Sequence, residues 1–374
     1  MDKAKELLKN GDILKQVIRD MDILGYVGEE ENKILGYLIA ISRKLDQPLS
    51  GIVVSSSGAG KSRLVDTLEQ LTPAEDVVFT SRLTSQSLYY MQKDFLRHKL
   101  LIVEERHGSE LADYPIRTLQ SKGVLSLAIP IKNRTVFFEV KGPVSILETT
   151  VSCKLNLENT SRCFILHLDE SEEQTRLIHR YQRQARTKER LKLQQKAQGI
   201  IRLHQDMQRL IKPCAVIIPY ANKLTFPANS PSSRREHQKF LTLIEAIALL
   251  YQYQRRKIVH NGLVFIESAI QDYEIAFDIF SKVYRDTLLT HHSKSAVLLA
   301  KILRLKKSVF SREDIAKFSG WPNYKVRDNI RYLEEAGILR IIRNGKGKRT
   351  LYKLNSHLKL TKPEELRKRG TSTS

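Results

Sequence analysis

The sequence predicts an α/β protein: a parallel sheet with helices on both faces, then a helical stretch, then a small basic domain of three helices and a hairpin. Three observations carry this. Short apolar strands alternate with amphipathic helices between residues 49 and 103, the pattern of a parallel sheet. One strand runs through a small-residue loop into Gly60-Lys61-Ser62 and a helix. The basic charge is uneven. The chain has 374 residues, with 63 Lys+Arg, 41 Asp+Glu and a formal net charge of +22. Residues 291–374 hold 21 of the cations and 7 of the acids, so +14 of that excess sits in less than a quarter of the chain.

Composition excludes several classes. Hydrophobic residues at 41% and charged ones at 28% describe a globular chain, not a disordered, collagenous or membrane-embedded one. Cys153, Cys163 and Cys214 are widely spaced, with no CxxC and no Cys/His cluster, which argues against a zinc site or a disulfide framework. Met1–Asn10 is charged, and no run of about 18 apolar residues exists, so neither a signal peptide nor a membrane partner is expected. A soluble, cytoplasmic location follows as an expectation. The basic excess makes a polyanion the first partner to consider.

In chain order, residues 1–28 read as a helical lead-in. Ile34, Leu35, Leu38, Ile41 and Leu45 recur at helical spacing, and Pro48 is the expected stop. Then follow a strand at Leu49–Val54, a helix at Lys61–Leu71, a strand at Val77–Thr80, a helix around Ser85–Leu96 and a strand at Lys99–Val103. Leu125–Ile131 and Thr135–Val140 form a hairpin with Lys132, Asn133 and Arg134 at its tip. Val144–Thr149 and Cys163–Leu168 are further strands. One long basic helix is expected over Glu172–Ile211, and another over 237–254. Thr361–Ser374 is polar and charged, and a disordered tail is expected.

The loop Ser55-Ser56-Ser57-Gly58-Ala59-Gly60-Lys61-Ser62 has the context a phosphate-binding loop needs. Small residues let backbone N–H groups close around a β-phosphate at the positive end of a helix. Lys61 would reach the β- and γ-phosphates of ATP, and Ser62 would ligate Mg²⁺. Ser55 stands where the motif has its first Gly. The strand Leu100–Val103 ends in Glu104-Glu105. Glu104 would hold Mg²⁺ and its waters, and Glu105 would polarise the attacking water.

The series of motifs resembles the AAA+ ATPases, and among them the minichromosome-maintenance helicases. A closer resemblance, over roughly residues 30–355, is to the helicase-like C-terminal part of primase-helicases from bacterial mobile elements. It rests on Ser55–Ser62, Gln86–Met91, Glu104-Glu105, the hairpin, Thr149-Thr150, Asn159–Phe164, and Arg234-Arg235 before Leu241–Leu250. The resemblance implies a ring, expected as a homohexamer, with ATP between subunits. Arg162 would act in trans as an arginine finger. Thr149 would be a polar sensor, and Arg234 or Arg235 a second sensor. Lys132 and Arg134 would grip single-stranded or forked DNA. The family's zinc-binding and Toprim primase regions are not matched, so a separate primase is an expected partner.

Residues 291–355 have their own signature. Ser293–Leu305 is an amphipathic helix, and Ser311 with Asp314 reads as a capping box. Gly320-Trp321-Pro322 is a turn before a helix at Tyr324–Ala336, which Gly337 closes. Leu339–Ile342 and Thr350–Leu354 pair across a basic Gly-rich loop. This is the pattern of a winged helix. Lys325, Arg327 and Arg331 would face duplex DNA, with Lys346, Lys348 and Arg349 in the wing. Trp321 reads as a core anchor. The expected organisation is lead-in 1–28, ATPase core 29–212, helical lid 213–290, winged helix 291–355 and tail 356–374. The expected function is an ATP-dependent DNA translocase or helicase in mobile-element replication. The alternatives are an ATP-switched initiator or loader, and a regulator that uses only the winged helix.

Overall fold

The chain begins with three helices, α1 (Asp2–Asn10), α2 (Ile13–Ile23) and α3 (Glu30–Ser42). The Asp12 carboxylate accepts the Lys15 N–H and so caps α2. Helix α3 is buried along nearly its whole length, including Leu35, Leu38 and Ile41. It ends at Ser42, well before Pro48. The Ser42 hydroxyl accepts the Leu49 N–H at 2.9 Å, so a side-chain bond organises the turn that the proline was expected to end. The computed structural model describes all residues except 107–111, 133, 152–156, 227, 229–232, 292, 306, 336–337, 346–347, 355–359 and 371–374.

Five parallel strands follow, interleaved with helices: β1 (Ser50–Val54), α4 (Lys61–Leu71), β2 (Val77–Thr80), β3 (Lys99–Val103), α5 (Asp113–Lys122), the hairpin β4 (Val124–Ile131) and β5 (Arg134–Lys141), β6 (Val144–Thr150), α6 (Leu157–Thr160) and β7 (Phe164–His167). The sheet order is β2-β3-β6-β1-β7, so the first strand lies inside the sheet and its carboxyl end is flanked by β6 and β7. Side chains alternate across the sheet. Ser145 on β6 donates to the Ile39 and Leu49 carbonyls on the α3 side. Val144 and Ile146 on the other side join Leu101, Val103, Ile116, Leu119, Leu125 and Val140 in one buried cluster. The sheet is therefore a middle layer, with α3 and α4 on one face and α5 and the hairpin base on the other.

The stretch Ser85–Leu96 is not a helix. It is a series of turns, with Ser87 N–H to Thr84 O and Tyr89 N–H to Gln86 O. The Thr84 and Ser87 hydroxyls bond the local backbone, the competition that makes Ser and Thr poor helix-interior residues. Leu83, Leu88 and Leu96 are still buried against the sheet.

The expected single helix over Glu172–Ile211 is two, α7 (Glu172–Gln184) and α8 (Glu189–Leu210). Ser171 caps α7 through the Gln174 N–H. His204 anchors α8, with Nδ1 3.0 Å from the Tyr37 hydroxyl and Nε2 2.9 Å from Asp20. Beyond it lie β8 (Ala215–Ile217), α9 (Ser233–Leu250), β9 (Lys257–His260), β10 (Leu263–Glu267) and α10 (Ile270–His291). Strands β8, β10 and β9 form a second, small sheet.

The C-terminal elements are α11 (Ser293–Arg304), β11 (Phe310–Ser311), α12 (Arg312–Ser319), α13 (Asn323–Glu335), β12 (Leu339–Gly345), β13 (Lys348–Leu354) and α14 (Pro363–Gly370). The capping box at Ser311 and Asp314 is present. Leu298, Ile302, Phe310, Ile315, Val326, Ile330, Leu333, Leu339 and Tyr352 form its core, with Trp321 packed against them. Gly337, expected to close α13, lies outside the described residues.

The expected disordered tail is corrected over 360–370, which includes α14. Leu360 and Leu366 are buried, and Thr361 accepts the Thr225 N–H at 2.8 Å. Two apolar side chains six residues apart and a backbone partner outweigh the polar composition. The chain forms two compact units, Met1–Pro219 with Lys239–Ile279, and Tyr220–Gln238 with Phe280–Ser374. The stretch 213–290 is thus shared between them.

Candidate functional site

The carboxyl edge of the five-stranded sheet gathers the loop after β1, the acids after β3 and the threonines that end β6. In open parallel sheets this edge is where ligands bind. Ser55 is buried directly after β1, while Ser56, Ser57 and Gly58 are exposed. Gly58 has φ +84° and Gly60 φ +106°, the left-handed region that favours glycine. An added Cβ at either would meet nothing within 4 Å, so the space beside both glycines is open.

Helix α4 starts at Lys61 with no side-chain cap and no acid in its first turn. Its first N–H groups and positive dipole end are left for an anion. The Lys61 ammonium folds over the loop, donating to Ser55 O at 2.9 Å and Ser56 O at 2.8 Å. Ser62 is exposed in the same first turn. The Ser56 N–H donates at 2.6 Å to Glu170, just after β7. That bond, with the Lys61 charge, holds the Glu170 carboxyl below the usual carboxylate range. An open, glycine-turned cradle at an uncapped helix start, carrying a lysine ammonium, fits a phosphate chain.

Glu104 and Glu105 continue past β3, their N–H groups donating to Thr80 O at 3.0 Å and Ser81 O at 3.1 Å. Glu104 is half-buried and Glu105 exposed. Thr149 is paired with Val53 and Thr150 with Val54 in the sheet, which brings them beside the loop. The buried Thr149 hydroxyl donates to the Glu104 carbonyl, and Thr149 O accepts the Arg106 N–H at 2.9 Å. A short polar tie thus joins the acid pair to β6.

Arg106 was not singled out by sequence, yet it is the hub behind the acid pair. It is buried, and its guanidinium donates to Glu148 on β6 and Asp113 at the start of α5. Asp113 also accepts from the Asn159 amide, whose oxygen takes Arg117 Nη1 at 2.9 Å. Burial pushes the Glu148 carboxyl up to about 7, with Asp113 adding to the rise and Arg106 opposing it. The available signal was a basic residue directly behind two acids, matched by the acid in Leu147-Glu148-Thr149.

Arg162 lies elsewhere. It precedes β7, whose Phe164 pairs with Gly51 and His167 with Val54. It therefore sits at the amino edge, roughly 10 Å of strand away from its own phosphate loop. Its guanidinium donates to Ser121 Oγ at 3.0 Å and Glu158 O at 2.8 Å. Arg234 and Arg235 are exposed at the head of α9, in the second unit.

Among the expected nucleic-acid contacts, Lys132 is exposed at the hairpin turn with φ +44°. Arg134 is not at the tip but opens β5, paired with Ile131. Asn133 lies outside the described residues. Phe137, on the hairpin's outer face, is 76% exposed and was not singled out by sequence. On α13, Arg327 and Arg331 are exposed, while the Lys325 ammonium sits 3.9 Å from the centre of the Trp321 ring. Arg349 pairs with Glu313 at 3.3 Å. Lys346 lies outside the described residues, as does the side chain of Lys348.

Among the described residues no group of three or more His, Cys, Asp or Glu side chains is arranged to hold a metal ion. A Mg²⁺ held by one hydroxyl, one carboxylate, phosphate oxygens and water needs no such group. No helix among the described residues is long and apolar enough to cross a membrane.

Comparison with known proteins adds the family. No curated protein matches the chain. Residues 1–212, more than half of the chain, match the model of the MTBMA_p00010 P-loop domain. Such domains bind nucleotides, usually with Mg²⁺, and are generally nucleoside-triphosphate hydrolases. The order of β1, glycine-turned loop and α4 lies inside the matched residues, and this chain belongs to the MTBMA_p00010 P-loop domain family.

Proposed function

We propose that this protein is an ATP-dependent DNA translocase or helicase that acts in the replication of a mobile element, with ATP held at the subunit interfaces of a hexameric ring. The observation that carries it is the β4–β5 hairpin, inserted between the acid-bearing strand β3 and the threonine-ended strand β6. A nucleotide-dependent movement of either strand end would be passed to a basic, exposed arm. The resemblance to mobile-element primase-helicases supports the setting, and a separate primase is the expected partner.

Mg²⁺-ATP, when bound, would supply the γ-phosphoryl group and a divalent charge to offset that of the phosphates. In this reading Lys61 holds the phosphates, and Ser62 and Glu104 hold the metal and its waters. Glu105 would polarise the attacking water, and Thr149 would orient the acid strand. Arg162 serves a neighbouring subunit, a role its position at the amino edge supports. Arg234 and Arg235 are the proposed second-sensor arginines, with the helices around them as lid. The elements α11 to β13 form the proposed winged helix, with α13 as recognition helix and β12–β13 as wing.

The test is the ATPase rate with and without single-stranded or forked DNA. Hydrolysis stimulated by DNA, and lost in Lys61→Ala and Glu105→Gln, is the expected result. No hydrolysis under either condition would overturn the reading. Ser55 and Glu104 depart from the usual Gly and Asp, which favours slow turnover and keeps a second reading, an ATP-switched initiator or loader. ATP-dependent DNA binding without strand displacement would select it.

A further inference from the structure

The turn between α12 and α13 presents two aromatic rings to solvent. Phe318 is 50% and Tyr324 65% exposed. The third aromatic of the turn, Trp321, is half-buried and packs on the core of its unit. Gly320, at φ +69°, lets the chain reverse between the two exposed rings.

Within the segment that carries them the charge has one sign. From Ile315 to Arg327 the sequence holds Lys317, Lys325 and Arg327 and no acid. Lys301 on α11 joins from outside the segment, donating to Ser319 O at 2.7 Å and lying 5.6 Å from the Trp321 ring centre. Of the acids beside the segment, Asp314 is engaged by Lys307 at 2.7 Å, Glu313 by Arg349 at 3.3 Å and Asp328 by Arg327 at 3.2 Å.

We propose that this turn binds an unpaired nucleic-acid strand, with bases stacked on Phe318 and Tyr324 and the phosphates held by Lys317, Lys325 and Arg327. Exposed rings among cations match such a strand because every unpaired base offers a π-face. A duplex hides those faces, so it gains nothing from the rings and is read by polar side chains in its grooves. The inference rests on the nucleic-acid reading of the second unit and is independent of ATP hydrolysis.

Trp321 is the sole tryptophan of the sequence, so its fluorescence reports on this turn alone. In the full-length protein, an oligothymidylate of about 12 nucleotides is expected to quench it. Phe318→Ala with Tyr324→Ala should weaken the single strand by about tenfold or more, and Phe318→Tyr with Tyr324→Phe should restore it. Both side chains are exposed, so the melting temperature should stay unchanged. A double-alanine variant that binds the single strand like the parent, or one that loses as much affinity for a duplex of equal length, overturns the proposal. Quenching in a protein whose ATPase ignores DNA would leave this site standing and remove the translocase reading.

Discussion

Lys61 is satisfied by its own loop: its ammonium takes two carbonyls that a phosphate would replace. Removing it should therefore leave the fold intact and strip the site of its charge. Lys61→Ala is expected to lower affinity for a fluorescent ATP analogue by about 100-fold or more, with an unchanged melting temperature, since a charge-assisted phosphate contact is among the strong hydrogen bonds. Glu148 makes a pH prediction. Burial raises its carboxyl to about 7 from 4.5. The folded state then holds a proton that the unfolded chain has lost, so stability falls as pH rises through that window, by up to about 1.4 kcal/mol per unit. Glu245, also raised to about 7 by burial and by Asp46, acts in the same direction. Urea unfolding at pH 5 and pH 8 should show the parent more stable at the lower pH, and Glu148→Gln should shrink that difference.

At the scale of elements, the basic hairpin and the capped helices are separable features. Lys132→Ala with Arg134→Ala touches only exposed side chains. It is expected to abolish DNA stimulation while basal ATP hydrolysis persists. The slope of log affinity against log salt should fall by about 0.7 for each DNA phosphate that the variant no longer neutralises. Unchanged stimulation would remove the hairpin from the proposed mechanism. The capping box at Ser311 should be worth about 1 kcal/mol, measured as the stability lost in Ser311→Ala. Leu366→Ala should cost about 2–4 kcal/mol, because Leu366 is buried on α14. A negligible cost there would mean that the helix does not dock.

For the molecule as a whole, the proposed ring has a direct test. Lys61→Ala and Arg162→Ala subunits should each be inactive alone. Mixed equally, they should recover roughly a quarter of the parent rate, because head-to-tail assembly joins an intact Lys61 to an intact Arg162 at that fraction of interfaces. No recovery would place both residues in one subunit's site. That outcome would conflict with the strand of sheet that separates them. The charge of the chain also divides in use. Residues 293–354, the span proposed to meet nucleic acid, hold 16 Lys+Arg against 5 Asp+Glu, whereas Lys61 lies at the phosphate loop, and Arg162, Arg234 and Arg235 are proposed to face nucleotide phosphates.

The sequence by itself determined the features whose causes are local. A strand followed by small residues and Gly60-Lys61-Ser62 announces the phosphate loop, because the left-handed turns and the helix start are coded within a dozen residues. Strands β2 and β3 and helix α4 were legible to the residue, and so was the capping box at Ser311. The Ser85–Leu96 turns were not, because the sequence pattern does not show which hydroxyls will capture the local backbone. Helix α5 was passed over for a related reason: its own Ile116 and Leu119 are buried in a cluster that takes Val103 from before the helix and Leu125, Val140 and Ile146 from after it. Only tertiary structure decided the strand order, and with it the meeting of Ser55, Glu104 and Thr149 at one edge and the placement of Arg162 at the other. It alone revealed Arg106 between Glu148 and Asp113, since a buried charge finds its partners through space. The loop is written in neighbouring residues; the site around it exists because parallel strands bring their carboxyl ends to one side.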